Sequence, residues 1–373
     1  MNLELTDEQA FLREAARAAL SRVGTVAAAR TALEDPAALA DLWPTACSAG
    51  WAGLLVAEER GGAGLSAFDA MLVMMEAGRV LAGVALLGHL PASWLLDAGA
   101  YDGVEDVAEG SLRACFVSAR PPGDVSAGWT VEAQAGSLRA AAPVLSEDGM
   151  LSGSACWVVD APAADVLVVA AVRAGDGAPV AVIVDGAGAG VSVQPVMRYD
   201  ATRSLGHVTF ASAAGTVLPG VGANELAGAW YLAQALLAAE SVGAVDTALT
   251  TSVAYAKERF TFGRAIGSYQ AVKHSLVEVL RLRENAYSLL VYAGWAYEDG
   301  RDEFPLAASA ARGAAGHALD YASRAMISVH GGSGATWEHD APLFFRRAQL
   351  SRRLLGGLGD ATDRVASELL RAA

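Results

Sequence analysis

The pattern of hydrophobic and polar positions changes twice along this chain of 373 residues. Over residues 1–112 apolar side chains recur at helical spacing, as at Leu12 and Ala16, which predicts a helical N-terminal domain. Over residues 113–222 short apolar runs alternate with glycine-containing turns, which predicts an antiparallel β domain. Over residues 223–373 helical spacing returns in long segments that are typical of a four-helix bundle. The predicted fold is therefore α+β with three domains.

Individual elements follow from the same pattern. Thr6 and Gln9 have the spacing of a capping box, and Ser66 is placed to cap a helix at 67–80. The predicted bundle helices are 226–258, 269–297, 306–329 and 342–370. The predicted strands lie in the apolar runs 114–117, 138–142, 157–159, 166–172, 180–184, 191–193 and 208–210.

Composition and charge exclude several classes of protein. Hydrophobic residues make up 53% of the chain and charged residues 18%, which argues against disorder. No apolar run reaches the roughly 18–20 residues that span a bilayer, so no membrane segment is expected. Asp7 and Glu8 replace the basic start of a signal peptide, which predicts a cytoplasmic protein. A net charge of −14 disfavours nucleic-acid binding, because that binding needs cations that neutralise phosphates.

The chain carries no familiar metal-binding or hydrolase motif. Cys47, Cys115 and Cys156 lack the paired spacing of a zinc site or a disulfide framework. The six histidines have no metal-ligand spacing, so no metal is expected. GxSxG, Walker and HExxH motifs are absent, so serine hydrolase, P-loop and zincin chemistry gain no support. A late basic cluster is interpreted as a solvated helix face, an interface or a site for an anionic cofactor, and consists of Arg346, Arg347, Arg352 and Arg353.

Two segments, Arg259–Gln270 and His330–Gly334, carry the strongest functional signal. Arginine presents a planar fork of donors that matches a pyrophosphate, and Gly263 lets the backbone turn where the helical pattern ends. The glutamine can donate to and accept from a sugar alcohol or a nucleobase. Glycines let a ligand approach backbone N–H groups, whereas His330 is expected to be a structural histidine. Together the two segments indicate a bound dinucleotide.

The order of these features resembles the acyl-CoA dehydrogenase family over essentially the whole chain. Besides the two segments, the resemblance rests on residues 5–9, 50–66 and 151–165. Residues 337–340, Trp-Glu-His-Asp, are similar to the actinobacterial branch. Several members of that branch work as mixed α2β2 enzymes on steroid side-chain CoA thioesters.

The resemblance implies a helical N-terminal domain, a middle antiparallel β domain, a C-terminal four-helix bundle and FAD as the cofactor. In the family, the arginine and glutamine of the first segment reach FAD across a subunit interface. The glycine-rich loop meets the ADP half of an FAD held mainly by another subunit, and an aromatic residue on the sheet lies against the flavin ring. The residues implied in FAD binding are Arg259, Phe262, Gln270, Gly331, Gly332, Gly334 and Trp157.

Several positions depart from the family pattern. Val159 stands where many members have a threonine that contacts the flavin, and residues 115–124 lack the usual motif that touches flavin and substrate. Removal of the proton alpha to a thioester needs a carboxylate. The family places a glutamate either shortly after the segment that contains Arg346 or in the helix before Arg259. Here these places hold Leu355 and Ala233, and the weak substitutes are Glu240 and Asp360.

The sequence therefore predicts a subunit of an FAD-dependent acyl-CoA dehydrogenase that lacks its own glutamate and contributes to FAD binding beside a paralogous partner. An α2β2 oligomer is expected, with a homo-oligomer as the alternative and electron-transferring flavoprotein as the electron acceptor. The branch implies a steroid side-chain or other lipid acyl-CoA substrate. Two alternatives stay open: a stand-alone flavin oxidase or monooxygenase of the same fold, and a non-catalytic pseudoenzyme that stabilises a partner.

Overall fold

The computed structural model describes residues 4–35, 38–118, 130–131, 139–140, 142–196 and 199–372. Its first part is helical and contains α1 (Asp7–Ser21), α2 (Thr25–Thr31), α3 (Trp43–Ser48), α4 (Ala67–Arg79), α5 (Leu86–Ala98) and α6 (Val104–Glu109). The predicted capping box of Thr6 and Gln9 is confirmed at α1, and Ser66 forms a second one with Asp69 at α4. These side chains satisfy backbone N–H groups that the first turn leaves free, which fixes where each helix begins.

The described residues of the middle part form an eight-stranded sheet and a separate two-stranded pair. The strands are β1 (Ala114–Val117), β2 (Thr130–Val131), β3 (Arg139–Ala140), β4 (Val144–Leu145), β5 (Met150–Val159), β6 (Val166–Arg173), β7 (Pro179–Asp185), β8 (Val191–Pro195), β9 (Leu205–Ala214) and β10 (Thr216–Val217). The sheet order is β10-β7-β6-β4-β5-β9-β8, β1 pairs with β6, and β2 pairs separately with β3. The buried faces of these strands are rich in valine and alanine.

Most pairs in the sheet are antiparallel, as predicted, but β6 runs parallel to both β1 and β4. Between β4 and β6 the chain passes through β5 and a helical turn at Ala161–Ala163, so β6 returns in the direction of β4. The predicted strand at 138–142 includes residues outside the described part of the chain. Every other predicted apolar run lies within one of these strands.

The last part contains α7 (Ala223–Glu258), α8 (Gln270–Glu298), α9 (Phe304–His330), α10 (Ala341–Ser351) and α11 (Gly357–Ala372). A hairpin of β11 (Phe260–Thr261) and β12 (Arg264–Ala265) separates α7 from α8. The predicted single helix at 342–370 is wrong, because a turn at residues 352–356 separates α10 from α11. Leu355, Gly356 and Gly357 take left-handed φ angles of 51°, 83° and 82°, which a continuing right-handed helix cannot contain.

Helix α7 is the centre of the core. By length and composition it could cross a membrane, but 83% of its most apolar window is buried inside the protein. A helix that is apolar on all sides is expected wherever other elements surround it, and α7 contacts α4, α5, α8, α9 and α10. Its apolar character therefore has an explanation in packing, and the cytoplasmic location stays a prediction.

Helices α4 and α7 cross with their backbones in close approach. An ideal Cβ added to Gly243 would lie 1.8 Å from the carbonyl oxygen of Met75, and one added to Gly78 would lie 1.9 Å from that of Glu240. Only glycine leaves room for such a crossing. The N-terminal helices are thereby fixed directly on the helix that carries the functional segment at its C-terminal end.

Candidate functional site

The first functional segment forms an exposed arm at the end of α7. Arg259 follows the last turn of the helix, and its backbone N–H donates to the carbonyl of Tyr255 at 2.8 Å. The next residues fold into the β11–β12 hairpin, whose turn is Phe262-Gly263 with φ angles of 48° and 80°. Two consecutive positive φ angles are the geometry of a type I′ turn, which matches the twist of a tight hairpin. The Phe262 side chain at the tip is 95% exposed.

The cation at the base of the arm has no partner within the described residues of this chain. Arg259 is exposed, and its guanidinium makes no hydrogen bond or ion pair there. Arg264, by contrast, stacks over the ring of Tyr269 at 4.0 Å. Gln270 begins α8 and is also exposed. The arm thus presents a cation, an aromatic ring and an amide to the surroundings rather than to its own chain.

The second segment is the loop that follows α9. Gly331 ends the helix with φ of 62°, and a Cβ added at Gly331 or Gly332 would meet nothing within 4 Å. Their backbone is therefore open to a ligand. Gly334 differs, because it is buried and an added Cβ would lie 2.6 Å from the carbonyl of Ile327. Two of the three predicted glycines face open space, and the third lets the loop pack on the helix end.

The fold brings the two segments to the same end of the bundle. Tyr255 lies one turn before Arg259, and its ring centroid is 4.3 Å from that of His330, the last residue of α9. His330 in turn donates from Nδ1 to the carbonyl of Met326 at 2.7 Å. The expectation of a structural, hydrogen-bonded His330 agrees with this geometry. A single extended anion could therefore contact the cation of the arm and the open backbone of the loop.

Trp157 occupies a separate place on the sheet. It sits at a bulge in β5 with φ of 59°, is 38% exposed and packs edge-on against His207 with ring centroids 5.0 Å apart. Within the described residues no ring contact or hydrogen bond joins it to the arm or the glycine loop. Val159, two residues on, is buried and offers no hydroxyl. The stretch 115–124 lies outside the described residues from residue 119 onward.

The two places where a glutamate was expected lie together. The side-chain amide of Gln234, next to Ala233 on α7, donates to the backbone carbonyl of Leu355 at 2.5 Å. Ala233 is buried and Leu355 is partly buried, and neither carries a polar side chain. The structure therefore brings the chain neighbour of Ala233 into contact with the backbone of Leu355, and the group that makes this contact is an amide rather than a carboxylate.

Glu240 is part of a buried charge network. Its carboxylate is 1% exposed and accepts hydrogen bonds from Arg203 and, at 2.7 Å, from Arg347. Arg347 also donates to Asp200 at 2.5 Å and to Thr202. Burial alone would lower the pKa of Arg347, yet the two carboxylates hold it above its ordinary value. Burial likewise would raise the pKa of Asp200, but Arg347 keeps it below its ordinary value.

This network changes two sequence-based interpretations. Both oxygens of the Glu240 carboxylate accept hydrogen bonds from buried guanidinium groups, and the side chain is buried away from any substrate. The geometry therefore argues against Glu240 as a base. The basic cluster near residue 350 was interpreted as a solvated face, an interface or a cofactor site. For Arg347 the solvated face is wrong, because its side chain is fully buried. No sequence pattern indicates this burial, since the partners of Arg347 are more than 100 positions away.

Asp360 lies in the first turn of α11, beside the turn that separates this helix from α10. An added Cβ at Gly356 would lie 2.5 Å from its carboxylate, so it is close to the expected base position. The cavity that it lines with Trp230 and Gln234 has a volume of only about 20 Å³. That volume holds about one water molecule and excludes a thioester.

Sequence reasoning named several residues that shape this end of the bundle but not the contacts that they make. Arg346 lies between the rings of Tyr199 and Trp337, at 4.3 Å and 4.7 Å, and donates to the carbonyl of Tyr199 at 2.8 Å. His339 packs on His330 with ring centroids 4.2 Å apart. Trp337 and His339 belong to the four residues that carry the branch resemblance, which was the available signal.

Comparisons with known proteins match this fold at both ends of the chain. The sequence model of the acyl-CoA dehydrogenase N-terminal domain matches residues 6–102, and that of the C-terminal domain matches residues 227–369. The acyl-CoA dehydrogenase IpdE2 of Mycobacterium tuberculosis is 31% identical over 365 residues, which covers 97% of this chain and 98% of IpdE2. FadE34 of the same organism is 32% identical over 97% of this chain, which spans 48% of FadE34.

Solved structures give the same result. A variant of the Tcur3481-Tcur3483 steroid ACAD has a TM-score of 0.85 at 26% identity, over 98% of both chains. A chain of the ChsE4-ChsE5 complex from Mycobacterium tuberculosis has a TM-score of 0.84 at 21% identity over 99% of both chains, and so supports the fold. The predicted fold class and resemblance are confirmed. This chain belongs to the acyl-CoA dehydrogenase family.

Proposed function

We propose that this chain is the subunit without a catalytic glutamate in a mixed acyl-CoA dehydrogenase, and that its arm and glycine loop hold part of an FAD. The observation that carries the proposal is the contrast between two places. The arm offers an exposed arginine that has no partner among the described residues, whereas the expected base positions hold Ala233 and Leu355, which carry no carboxylate. A subunit that offers residues for FAD but lacks a glutamate at the expected base positions is suited to complete the active site of a partner subunit.

The residues at the end of the bundle fit FAD. In a chain of net charge −14, an exposed guanidinium that has no acidic partner in the part of the chain that the structure describes is suited to an external anion such as a pyrophosphate. The open backbone at Gly331 and Gly332 admits a phosphate or a sugar without steric conflict. The Phe262 side chain is 95% exposed, and its apolar ring would be stabilised by contact with another molecule. These features suit a dinucleotide that a second subunit covers.

Each residue then has a defined task. FAD supplies the acceptor for the hydride that leaves the acyl chain. Arg259 would neutralise the pyrophosphate, and Gln270 would hydrogen-bond the sugar or base. Gly332 would donate its backbone N–H group, whereas the N–H of Gly331 already caps α9 and that residue would only leave room for the ligand. Trp157 would pack beside a flavin ring on the sheet. The proton alpha to the thioester would go to a glutamate of the partner subunit, because this chain offers no free carboxylate at the corresponding spot.

The substrate class and partner are proposed from the relatives. The similar solved structures include a steroid ACAD, and ChsE4-ChsE5 is a complex of two proteins. We therefore propose a steroid side-chain or similarly bulky acyl-CoA as substrate and a paralogous chain as partner in an α2β2 oligomer. Electron-transferring flavoprotein as the acceptor stays a prediction, as does the division into domains at residues 112 and 222.

The stand-alone oxidase or monooxygenase is the weaker candidate. It needs a base from this chain, yet Glu240 is bound by two arginines and Asp360 lines a cavity of about 20 Å³. A pseudoenzyme that binds no flavin does not explain why Arg259 is exposed without a partner among the described residues, nor why Gly331 and Gly332 face open space.

The deciding experiment compares the chain purified alone with the chain co-expressed with a glutamate-containing paralogue. Each sample is run on a sizing column, its flavin absorbance is recorded, and an acyl-CoA is added under anaerobic conditions. We expect a yellow mixed oligomer that bleaches with substrate, and a lone chain that does not. A lone chain that is yellow and bleaches would refute the proposal, and a correctly folded but colourless mixed oligomer would favour the pseudoenzyme.

A further inference from the structure

Three aromatic rings form a continuous stack between the arm and the glycine loop. Tyr255 from α7, His330 from the end of α9 and His339 from the loop lie in sequence, with centroid separations of 4.3 Å and 4.2 Å. The stack spans the two segments that the proposed function assigns to one ligand. It links the loop to α7 one turn before Arg259.

Hydrogen bonds fix the orientation of both histidine rings. His330 donates from Nδ1 to the carbonyl of Met326 at 2.7 Å. His339 does the opposite, because its Nδ1 accepts the backbone N–H of Ala341 at 3.0 Å. Ala341 begins α10, so His339 satisfies one of the free N–H groups of that helix. A proton on Nδ1 of His339 would remove this bond and place a cation beside a helix N-terminus.

The surroundings of His339 disfavour its charged form. Burial lowers its pKa below the ordinary value of 6.5, and the positive charges of His330 and Arg30 act in the same direction. Asp340 opposes them, although that carboxylate is itself paired with Arg30 from α2. The charged and titratable groups that act on the ring are His330 on α9, Asp340 in the loop and Arg30 on α2. Farther out lie Tyr255 on α7, which contacts His330, and Arg346 on α10, which lies over Trp337, while Glu338 precedes His339 in the loop.

We propose that the Tyr255–His330–His339 stack is a positioning clamp that docks the Gly331–Asp340 loop beside the arm only while His339 is neutral. The clamp rests on the proposed function, since it positions the loop for the same FAD. Tyr255, His330 and His339 are positioning residues here, because they act through Arg259, Gly331 and Gly332 rather than on reacting atoms.

The direction of the pH effect follows from linkage. A histidine whose pKa is lowered in the docked state binds fewer protons there than in the undocked state. Docking is therefore fully favoured above pH 6.5 and weakens as the pH falls below that value. A single titrating group changes such an equilibrium by at most about tenfold per pH unit. FAD that depends on the loop should leave the assembled protein faster by up to that factor.

Two variants of His339 separate its roles. His339→Asn keeps an acceptor for the Ala341 N–H but cannot titrate, whereas His339→Phe keeps a stacked ring and loses the acceptor. His317→Asn, at an exposed histidine of α9, is the matched control. Hydrogen-exchange protection factors of residues 331–340 are measured from pH 7.5 to 5.5 in the mixed oligomer, corrected for intrinsic rates. Flavin release is followed by fluorescence in the same samples.

In the wild type and the His317→Asn control, we expect loop protection to fall and flavin release to rise below pH 6.5. His339→Asn should flatten both profiles, and His339→Phe should lower loop protection at every pH. Loop protection that is independent of pH in the wild type, or unchanged by His339→Asn, would overturn the clamp. If no flavin binds at any pH while loop protection still follows His339, the clamp stands and the proposed function fails.

Discussion

Arg347 donates a hydrogen bond of 2.7 Å to Glu240, although the two residues lie 107 positions apart and both are buried. Since Arg203 binds the other oxygen of the same carboxylate, Glu240 neutralises two guanidinium groups at once. We therefore regard Glu240 as a residue of the scaffold, although it is the carboxylate on α7 nearest in sequence to the expected base position.

Replacing Glu240 by glutamine should destabilise the protein far more than it slows catalysis. Removing one partner of a buried ion pair leaves an uncompensated charge and costs about 3–5 kcal/mol. We expect urea unfolding to show a loss of that order, while turnover of the mixed oligomer stays within a few-fold. Glu338→Gln, at an exposed carboxylate, is the control. A large loss of turnover with unchanged unfolding would instead identify Glu240 as the base.

Replacing Arg259 by alanine should release flavin without affecting the fold. The side chain is exposed and has no partner within the described residues, so the free energy of unfolding should change by less than about 0.5 kcal/mol. Flavin content after dialysis of the mixed oligomer is the measurement. Arg281→Ala removes an exposed arginine on α8, 60% accessible, and should keep its flavin. Equal flavin content in both variants would exclude Arg259 from the site.

Replacing Phe262 by glycine should separate the stability of the chain from its assembly. Phe262 has φ of 48°, a left-handed conformation that costs a non-glycine residue about 1–2 kcal/mol. Glycine removes that strain, so the lone chain should unfold at an equal or higher urea concentration. The same change removes a ring that is 95% exposed, so association with the partner should weaken on a sizing column.

Phe11→Ala serves as the control for that experiment, because Phe11 is 76% exposed on α1, far from the arm in sequence. It should leave assembly unchanged. If Phe262→Gly also assembles normally, the tip of the arm lies outside the interface.

Replacing Gly243 by alanine should disrupt the crossing of α4 and α7. The new Cβ would lie 1.8 Å from the carbonyl oxygen of Met75, so the helices must move apart. Overpacking of this kind costs about 1–3 kcal/mol or more. Gly359→Ala is the matched control, since its Cβ would meet nothing within 4 Å and it lies in α11. There alanine should stabilise by up to about 0.5–1 kcal/mol, and both values come from urea unfolding.

The local signals in the sequence were sufficient where the physics is local. Capping at Thr6 and Ser66 depends on side chains three residues apart, and the structure confirms both. The turn in the arm depends on Gly263, whose φ is 80°. The prediction of one helix across 342–370 was wrong because it relied on the apolar periodicity and gave no weight to Gly356 and Gly357. Both residues take left-handed φ angles there. Glycine pairs inside a periodic pattern should have counted against continuity.

The features that could not be predicted from the sequence depend on contacts between residues that are far apart in the chain. Nothing near Arg347 in the chain indicates that its partners are Asp200 and Glu240, so its burial was unpredictable. The stack of His330 and His339 likewise forms only when the loop folds back. The resemblance to a family located the arm and the loop, whereas their juxtaposition through Tyr255 required the structure.

The guanidinium of Arg347 has a consequence for any attempt to divide this chain. It donates to the carbonyl of Leu81 at 3.3 Å, to Asp200 and to Glu240, so one side chain joins the helical N-terminal part, the sheet and the bundle. A cut between the sheet and the bundle would separate the buried charges of Asp200 and Arg347, and a cut before the sheet would remove the Leu81 carbonyl that Arg347 binds. We therefore expect the segments 6–102 and 227–369, which match separate sequence models, to unfold as a single cooperative unit. They should melt together and resist transplantation as modules.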